Sequence, residues 1–287
     1  MSIEIPFTKM HGLGNCYIYV DLISQSIDIP SYSDLAVQAA DEHTGIGSDG
    51  LILIVPSNRA DMMMRIFNKD GSEGKNCGNG LRCVAKYAYD HGLVDQKSFK
   101  IETLSGIVDA EVHLKNGQVD LVTIDMGKPI LNRSSIPMVG ENDEKVINEP
   151  IIYNKQNFDM TAVSMGNPHG LFFVDNIEKA PIHELGSFLA DNHPTFPEGL
   201  NVGFIEKTAD NDIAYRVWER GSGITQACGT GACAAVVASI LTDRLPMDQT
   251  ITVHLAGGDL YIKWSQDSQH VLMTGEAKTI CKGIFYL

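Results

Sequence analysis

The residues best suited to chemistry in this chain are two cysteines. Cys77 lies in "SEGKNCGNGLRC" and Cys228 in "TQACGTGACAA", each followed by Gly-polar-Gly and then by an apolar run of helical spacing. A thiol at a helix N-terminus has its ionisation eased by the dipole and the free N–H groups, so both cysteines read as acid–base groups. Gly78 and Gly80, and Gly229 and Gly231, read as points where backbone N–H groups approach a ligand. Zinc fits poorly. Cys77 and Cys83 are i, i+6 and Cys228 and Cys233 are i, i+5, pairs that a helix turns to different faces. Neither site has the C-x-x-C spacing of a redox motif, and no lysine follows the glycines as in a phosphate-binding loop. Two such thiols acting on one ligand fit a proton leaving one face of a carbon and arriving on the other, the chemistry of a racemase or epimerase.

Two matching sites need two matching frameworks, and the chain is built twice. Cys77 and Cys228 stand 151 positions apart. Phe67 and Trp218 each precede their cysteine by ten residues; Asn15 and Asn167 precede theirs by 62 and 61, and Asp49 and Asn201 by 28 and 27. Short β-branched or alternating runs bounded by turn residues predict strands in both halves, among them "YIYVDLI", "LILIV" and "MMMRIF" in the first and "VGFIEK", "AYRVWER" and "LYIKW" in the second. One helix follows each cysteine, closed by His91-Gly92 in the first half and limited by Pro246 in the second. The expected fold is α+β: two pseudo-symmetric domains, each a curved, mostly antiparallel sheet around a central helix. The first domain is expected over 1–123, completed by 275–287, and the second over 124–274.

Composition narrows the function. The 36 Asp and Glu exceed the 22 Lys and Arg, for a net charge of −14, which argues against a nucleic-acid or anionic-membrane partner. "MSIEIPFTKM" lacks the basic start and apolar core of a signal peptide, and the run from Ala232 to Leu241 falls short of the ~18 apolar residues a spanning helix needs. Six cysteines in 287 residues make no disulfide scaffold, so a cytoplasmic protein with reduced thiols is expected. Cys16, Cys83, Cys233 and Cys281 read as packing residues.

"KMHGLGN", "GIGSDG", "FNKDGSEGKNCGNGLRC", "MGNPHG", "GLNVGF" and "ERGSGITQACGTGACAA" resemble, in order, the signature segments of the diaminopimelate epimerase family. The resemblance implies a cofactor-independent epimerase that binds no metal and interconverts LL- and meso-diaminopimelate, on the route to lysine and peptidoglycan. It implies that Cys77 and Cys228 are the acid–base pair, and that Asn15, Asn68, Asn167, Asn201, Glu219 and Arg220 bind the substrate. Gly78-Asn79 and Gly229-Thr230 would hold the reacting carboxylate, and His169 and Glu219 would assist proton traffic at the thiols. A homodimer is also implied. The chain departs from the family pattern at Gly50, where many members have Gln, and at Cys16, where many have Asp. The competing readings are a related two-cysteine racemase acting on another amino acid, such as proline or histidine, and a non-catalytic or redox-sensing amino-acid-binding module.

Overall fold

Leu51, Ile52, Leu53 and Ile54 are all fully buried, the unbroken pattern a strand shows when it is covered on both faces. The computed structural model, which describes residues 3–140, 143–191 and 193–287, shows what covers them. The chain forms two units, Met1–Asp125 with Thr274–Leu287, and Met126–Met273.

The first unit contains β1 (Glu4–Gly12), β2 (Asn15–Asp21), α1 (Tyr32–Ala40), β3 (Gly50–Val55), β4 (Met62–Asn68), β5 (Glu73–Gly74), α2 (Gly78–Asp90), β6 (Ser98–Thr103), β7 (Gly106–Lys115) and β8 (Gln118–Asp125). The second contains β9 (Glu149–Tyr153), β10 (Gln156–Ser164), β11 (Pro168–Phe173), α3 (Ile182–Ala190), β12 (Asn201–Ala209), β13 (Asp212–Glu219), β14 (Gly223–Ile224), α4 (Gly229–Leu241), β15 (Thr250–Leu255) and β16 (Gly258–Trp264). The chain leaves it along β17 (Val271–Gly275), and β18 (Lys278–Tyr286) completes the first unit.

The first sheet runs β18-β1-β2-β3-β4-β6-β7-β8, antiparallel except for the pairs β2–β3 and β4–β6. The second runs β9-β10-β11-β12-β13-β15-β16, antiparallel except for β11–β12 and β13–β15. From β9 to β16 the second order repeats the first from β18 to β7, with the parallel pairs at the same places. The short strands β5 and β14 fold back on β4 and β13 in turn.

Each unit wraps its sheet round one helix. α2 packs against β1, β2, β7 and β8, and α4 against β10, β11, β12, β13, β15 and β16. α4 can be enclosed so fully because its middle, from Gly231 to Ser239, is small or β-branched and wholly buried. A second, shorter helix covers the outer face of each sheet. Leu35, Ala36 and Ala39 of α1 meet Ile18, Val20, Leu51, Leu53 and Phe67, while Leu185, Leu189 and Ala190 of α3 meet Phe172, Val202 and Phe204. Each such leucine contributes about 1.5–3 kcal/mol of burial.

The expected helices are present: α2 stops at His91, whose N–H bonds the Tyr87 carbonyl, and α4 is closed by Thr242, four residues before Pro246. The outer helices α1 and α3 and the terminal strands β1 and β18 were not among the sequence expectations. Nor is every remaining cysteine a packing residue. Cys83 and Cys233 are buried, whereas Cys16 is half-buried and Cys281 is exposed on β18.

Candidate active site

Parallel pairing decides where the polar residues gather. Asn15 opens β2 and Asp49 precedes β3; these strands run parallel and so begin at the same end of the sheet. Gly50 is level with Asn68 at the end of antiparallel β4, from which a tight turn and β5 lead to Cys77. The second unit does the same. His169 is level with Asn201 in the parallel pair, and Val202 opposite Trp218 sets Asn201 beside the Glu219–Arg220 end of β13. There the Arg220 N–H donates to Asn201 Oδ1 at 2.9 Å.

In the first unit Cys77 is the N-cap of α2, in extended conformation at φ −152° and ψ 110°. Its Sγ accepts the Gly80 N–H at 3.3 Å, and the Leu81 N–H closes the first helical turn on its carbonyl at 2.8 Å. Asn15 Oδ1 lies 3.6 Å from the sulphur and accepts from Asn79 Nδ2 at 3.3 Å. Asn68 is exposed and donates to Ser72 Oγ at 3.0 Å.

Cys228 is likewise the N-cap of α4, and only 5% of its surface is exposed. Its sulphur lies 3.5 Å from Thr230 Oγ1. That hydroxyl is 3.2 Å from His169 Nε2, which is also 3.1 Å from Asn167 Oδ1. His169 Nδ1 is buried without a partner. Burial, and next the charge of Arg220, hold the imidazole down at a pKa of about 3, so the ring is neutral at physiological pH. Glu219 accepts a hydrogen bond from the Thr225 hydroxyl. Arg220 is exposed and its guanidinium donates to the Glu198 carbonyl.

Ionisation at Cys228 runs against the expectation for a helix entrance. Burial, and after it the Glu219 carboxylate, push the thiol well above its ordinary value. A helix terminus offers roughly 0.3–1 kcal/mol to a nearby anion, less than desolvation of a fully buried thiolate costs. Cys228 is therefore a protonated thiol.

The glycines also divide differently from their sequence reading. A Cβ on Gly80 would stand 2.7 Å from Ile52 Cδ1, and one on Gly231 would stand 2.4 Å from Tyr215 Oη. The second glycine of each motif is thus demanded by helix-on-sheet packing. Gly50 is no vacated side-chain position either. Its φ is +153°, and a Cβ there would stand 2.1 Å from the Phe67 carbonyl oxygen.

The helix entrances are suited to an anion. α1 and α3 carry Asp34 and Glu184 in their first turns, whereas α2 and α4 carry no acidic residue there. The positive ends of the two cysteine-capped helices are left for an external negative group. Among the described residues, no three His, Cys, Asp or Glu side chains are grouped to hold a metal ion, and no helix is long and apolar enough to cross a membrane.

A profile described as diaminopimelate epimerase matches residues 7–132 and 161–280. A curated diaminopimelate epimerase of Oceanobacillus iheyensis is 60% identical over 283 residues, covering 99% of this chain and 98% of that protein. The chain belongs to the diaminopimelate epimerase family. The diaminopimelate epimerase of Bacillus subtilis is 57% identical over 281 residues, 98% of each chain. Among solved structures, a probable proline racemase of Agrobacterium radiobacter K84 matches with TM-score 0.71 at 15% identity, over 97% of this chain and 92% of that one. A PhzF-family phenazine biosynthesis protein of Bacillus anthracis matches with TM-score 0.70 at 16% identity, over 99% of both. At such identities these structures share the fold alone, so a racemase of another amino acid is not favoured over the epimerase reading.

Sequence reasoning singled out the cysteines and asparagines but missed residues that hold them. Asp49 served only as a repeat landmark, although its carboxylate accepts from Asn15 Nδ2. Arg82, fully buried in the apolar run after Cys77, was the one available signal: a cation on a buried helix face requires polar partners.

Proposed function

We propose that this chain interconverts LL- and meso-diaminopimelate by a cofactor-independent two-thiol mechanism, in the cytoplasm, where the thiols stay reduced. The observation that carries this reading is the repeated cap. Each unit sets one sulphur at the N-cap of its own central helix, with polar residues at the equivalent strand ends.

One thiolate removes the α-proton and becomes a thiol; the other thiol gives its proton to the opposite face of the carbon and becomes a thiolate. Atoms and charge balance without an external reagent. Cys228, held protonated by burial and Glu219, is suited to begin as the acid. Cys77, half-buried and accepting the Gly80 N–H, is suited to begin as the base. The neutral His169 orients Asn167 and Thr230 instead of carrying charge. The Thr230 hydroxyl can accept from the Cys228 thiol or donate to its thiolate, so it accompanies both protonation states.

Proton transfer alone does not account for the rate. Positioned acid–base catalysis supplies about 10²–10⁴, or roughly 3–5 kcal/mol, against the about 8–23 kcal/mol that enzymes provide. Removing a proton next to a carboxylate builds a second negative charge on that group. The N–H groups at Gly78-Asn79 and Gly229-Thr230 supply the remainder as preorganised donors to the carboxylate. Asn15, Asn68, Asn167, Asn201, Glu219 and Arg220 then read the amino-acid end that does not react, and the exposed Arg220 is available to pair with a substrate carboxylate.

Incubation with LL-diaminopimelate, followed by chromatographic resolution of stereoisomers, tests the reading. Formation of the meso isomer with no racemisation of proline or histidine is expected; unchanged LL-diaminopimelate would refute it. Light scattering on the purified protein checks the homodimer that the family resemblance implies.

A further inference from the structure

Four side chains of the first unit form one directed chain of hydrogen bonds. Asn15 Nδ2 donates to Asp49 Oδ2 at 2.8 Å, and the same oxygen takes the Cys16 N–H at 2.8 Å. Asn79 Nδ2 donates to Asn15 Oδ1 at 3.3 Å, and Arg82 Nη2 donates to Asn79 Oδ1 at 3.0 Å. Every donor points the same way, from a guanidinium at one end to a carboxylate at the other. A carboxylate only accepts and a guanidinium only donates, so both amide orientations are dictated by the charged ends. Turned over, Asn15 would set its carbonyl against the Asp49 carboxylate and its NH₂ against that of Asn79.

Both ends are anchored. Arg82 is fully buried and its Nε donates to the Glu276 carbonyl at 3.2 Å. The Asp49 backbone donates to the Cys16 carbonyl at 2.8 Å and accepts the Lys69 N–H at 3.1 Å. The chain meets the reacting sulphur through Asn15, whose oxygen, and not its nitrogen, lies 3.6 Å from Cys77 Sγ.

We propose that Asp49 and Arg82 are positioning residues for Cys77, holding the Asn15 carbonyl oxygen against its sulphur so that the thiolate with which it begins is less stabilised by the helix entrance and is a stronger base. The proposal rests on the reading of Cys77 as an acid–base group. The Gly80 N–H and the α2 entrance both favour thiolate, and unopposed they would draw the thiol toward the roughly 3.5–7.5 range of cysteines at helix N-termini. A thiolate that stable is a poor base for a weakly acidic α-proton. The Asn15 oxygen opposes that drift. The other titratable and charged groups facing this region include Tyr17 and Tyr19 on β2, Cys83, Arg82 and Lys86 on α2, and Cys16 with Lys9 near it. Burial pushes Tyr19 and Cys16 up, and Cys83 up to about 11, so these three stay neutral at working pH.

The test is alkylation of Cys77 by iodoacetamide across pH, quantified on the Cys77 peptide by mass spectrometry, in the full chain and in Asp49→Asn. The neutral amide no longer dictates the orientation of Asn15, so the Cys77 midpoint should fall by about one pH unit. That gives about tenfold more thiolate below the midpoint, and the lower nucleophilicity of the weaker base leaves a net gain of roughly threefold in alkylation rate at pH 7. Epimerisation kcat should move the opposite way and fall. Asn15→Ala should lower the midpoint by itself, and Asp49→Asn should add nothing in that background. Coincident alkylation profiles for the parent and Asn15→Ala would overturn the proposal, and Asn15→Ala carries the test if Asp49→Asn does not fold. A full shift on adding Asp49→Asn to Asn15→Ala would also overturn it, because Asp49 would then act by charge alone. The epimerase assay on the parent fails or succeeds independently of these profiles.

Discussion

Mild acid should destabilise this protein through His169. The buried imidazole ionises at about 3 in the folded chain and at 6.5 in the unfolded one. Between those values the unfolded state binds a proton that the folded state refuses, so stability is full above pH 6.5 and is lost as pH falls toward 3. The slope is about 1.4 kcal/mol per pH unit, which makes the loss about 2 kcal/mol at pH 5 and about 4 kcal/mol at pH 3, where the folded imidazole is itself half protonated. Against a typical total of about 5–15 kcal/mol, that is a large share. Asp41, Asp70 and Asp143, held below the usual carboxylate range by local hydrogen bonds, titrate below the window from pH 6.5 to 5, whereas His193, also lowered by burial, contributes within it, so the share of His169 is read by comparison with a variant that lacks it. Urea unfolding at pH 7 and pH 5 should show the parent losing about 2 kcal/mol more than His169→Gln, in which the other histidines are unchanged. Equal losses in the two proteins would refute the reasoning and reopen a charged, proton-carrying role for His169.

Gly231→Ala should destabilise the fold by about 1–3 kcal/mol, the usual cost of overpacking, because its Cβ would meet Tyr215 Oη. Adding Tyr215→Phe, which removes that oxygen, should recover part of the loss in thermal unfolding; no recovery would mean that the clash lies elsewhere. Glu219→Gln removes the negative charge that assists burial in raising Cys228. The alkylation midpoint of Cys228 should therefore fall, and an unmoved midpoint would assign the whole effect to burial.

Much of the site was legible because its geometry is local. Gly-polar-Gly after a cysteine marks an N-cap whatever surrounds it, and both caps are where that pattern puts them. The repeat landmarks were informative because Asn15, Asp49, Asn167 and Asn201 mark strand starts, which the topology fixes. The outer helices were less visible. α1 is nine residues long and its cue is a single cap, Ser31 accepting the Asp34 N–H, while α3 begins after Pro181 with no capping side chain. The β1–β18 pair joins residues about as far apart in the chain as they can be, from Glu4 opposite Tyr286 to His11 opposite Lys278, and no local pattern announces it. Thiol ionisation was misjudged at Cys228 because the dipole can be read from a motif, whereas burial depends on the whole enclosing sheet. The Asp49–Asn15–Asn79–Arg82 chain escaped for a related reason. Its members are ordinary residues, and only their contacts give the order meaning.

The central claim is that two thiols, one on each side of the reaction, exchange the α-proton. Its most direct test is epimerisation of LL-diaminopimelate in D₂O, with substrate and product sampled early and analysed by mass spectrometry. The donor thiol exchanges with solvent, so newly formed meso product should carry deuterium at the inverted carbon. Recovered substrate should still hold its original hydrogen, since the abstracting thiolate can return only that proton. Cys77→Ala and Cys228→Ala should each abolish the conversion. Product that retains the substrate's hydrogen, or substantial conversion by either single variant, would contradict the account.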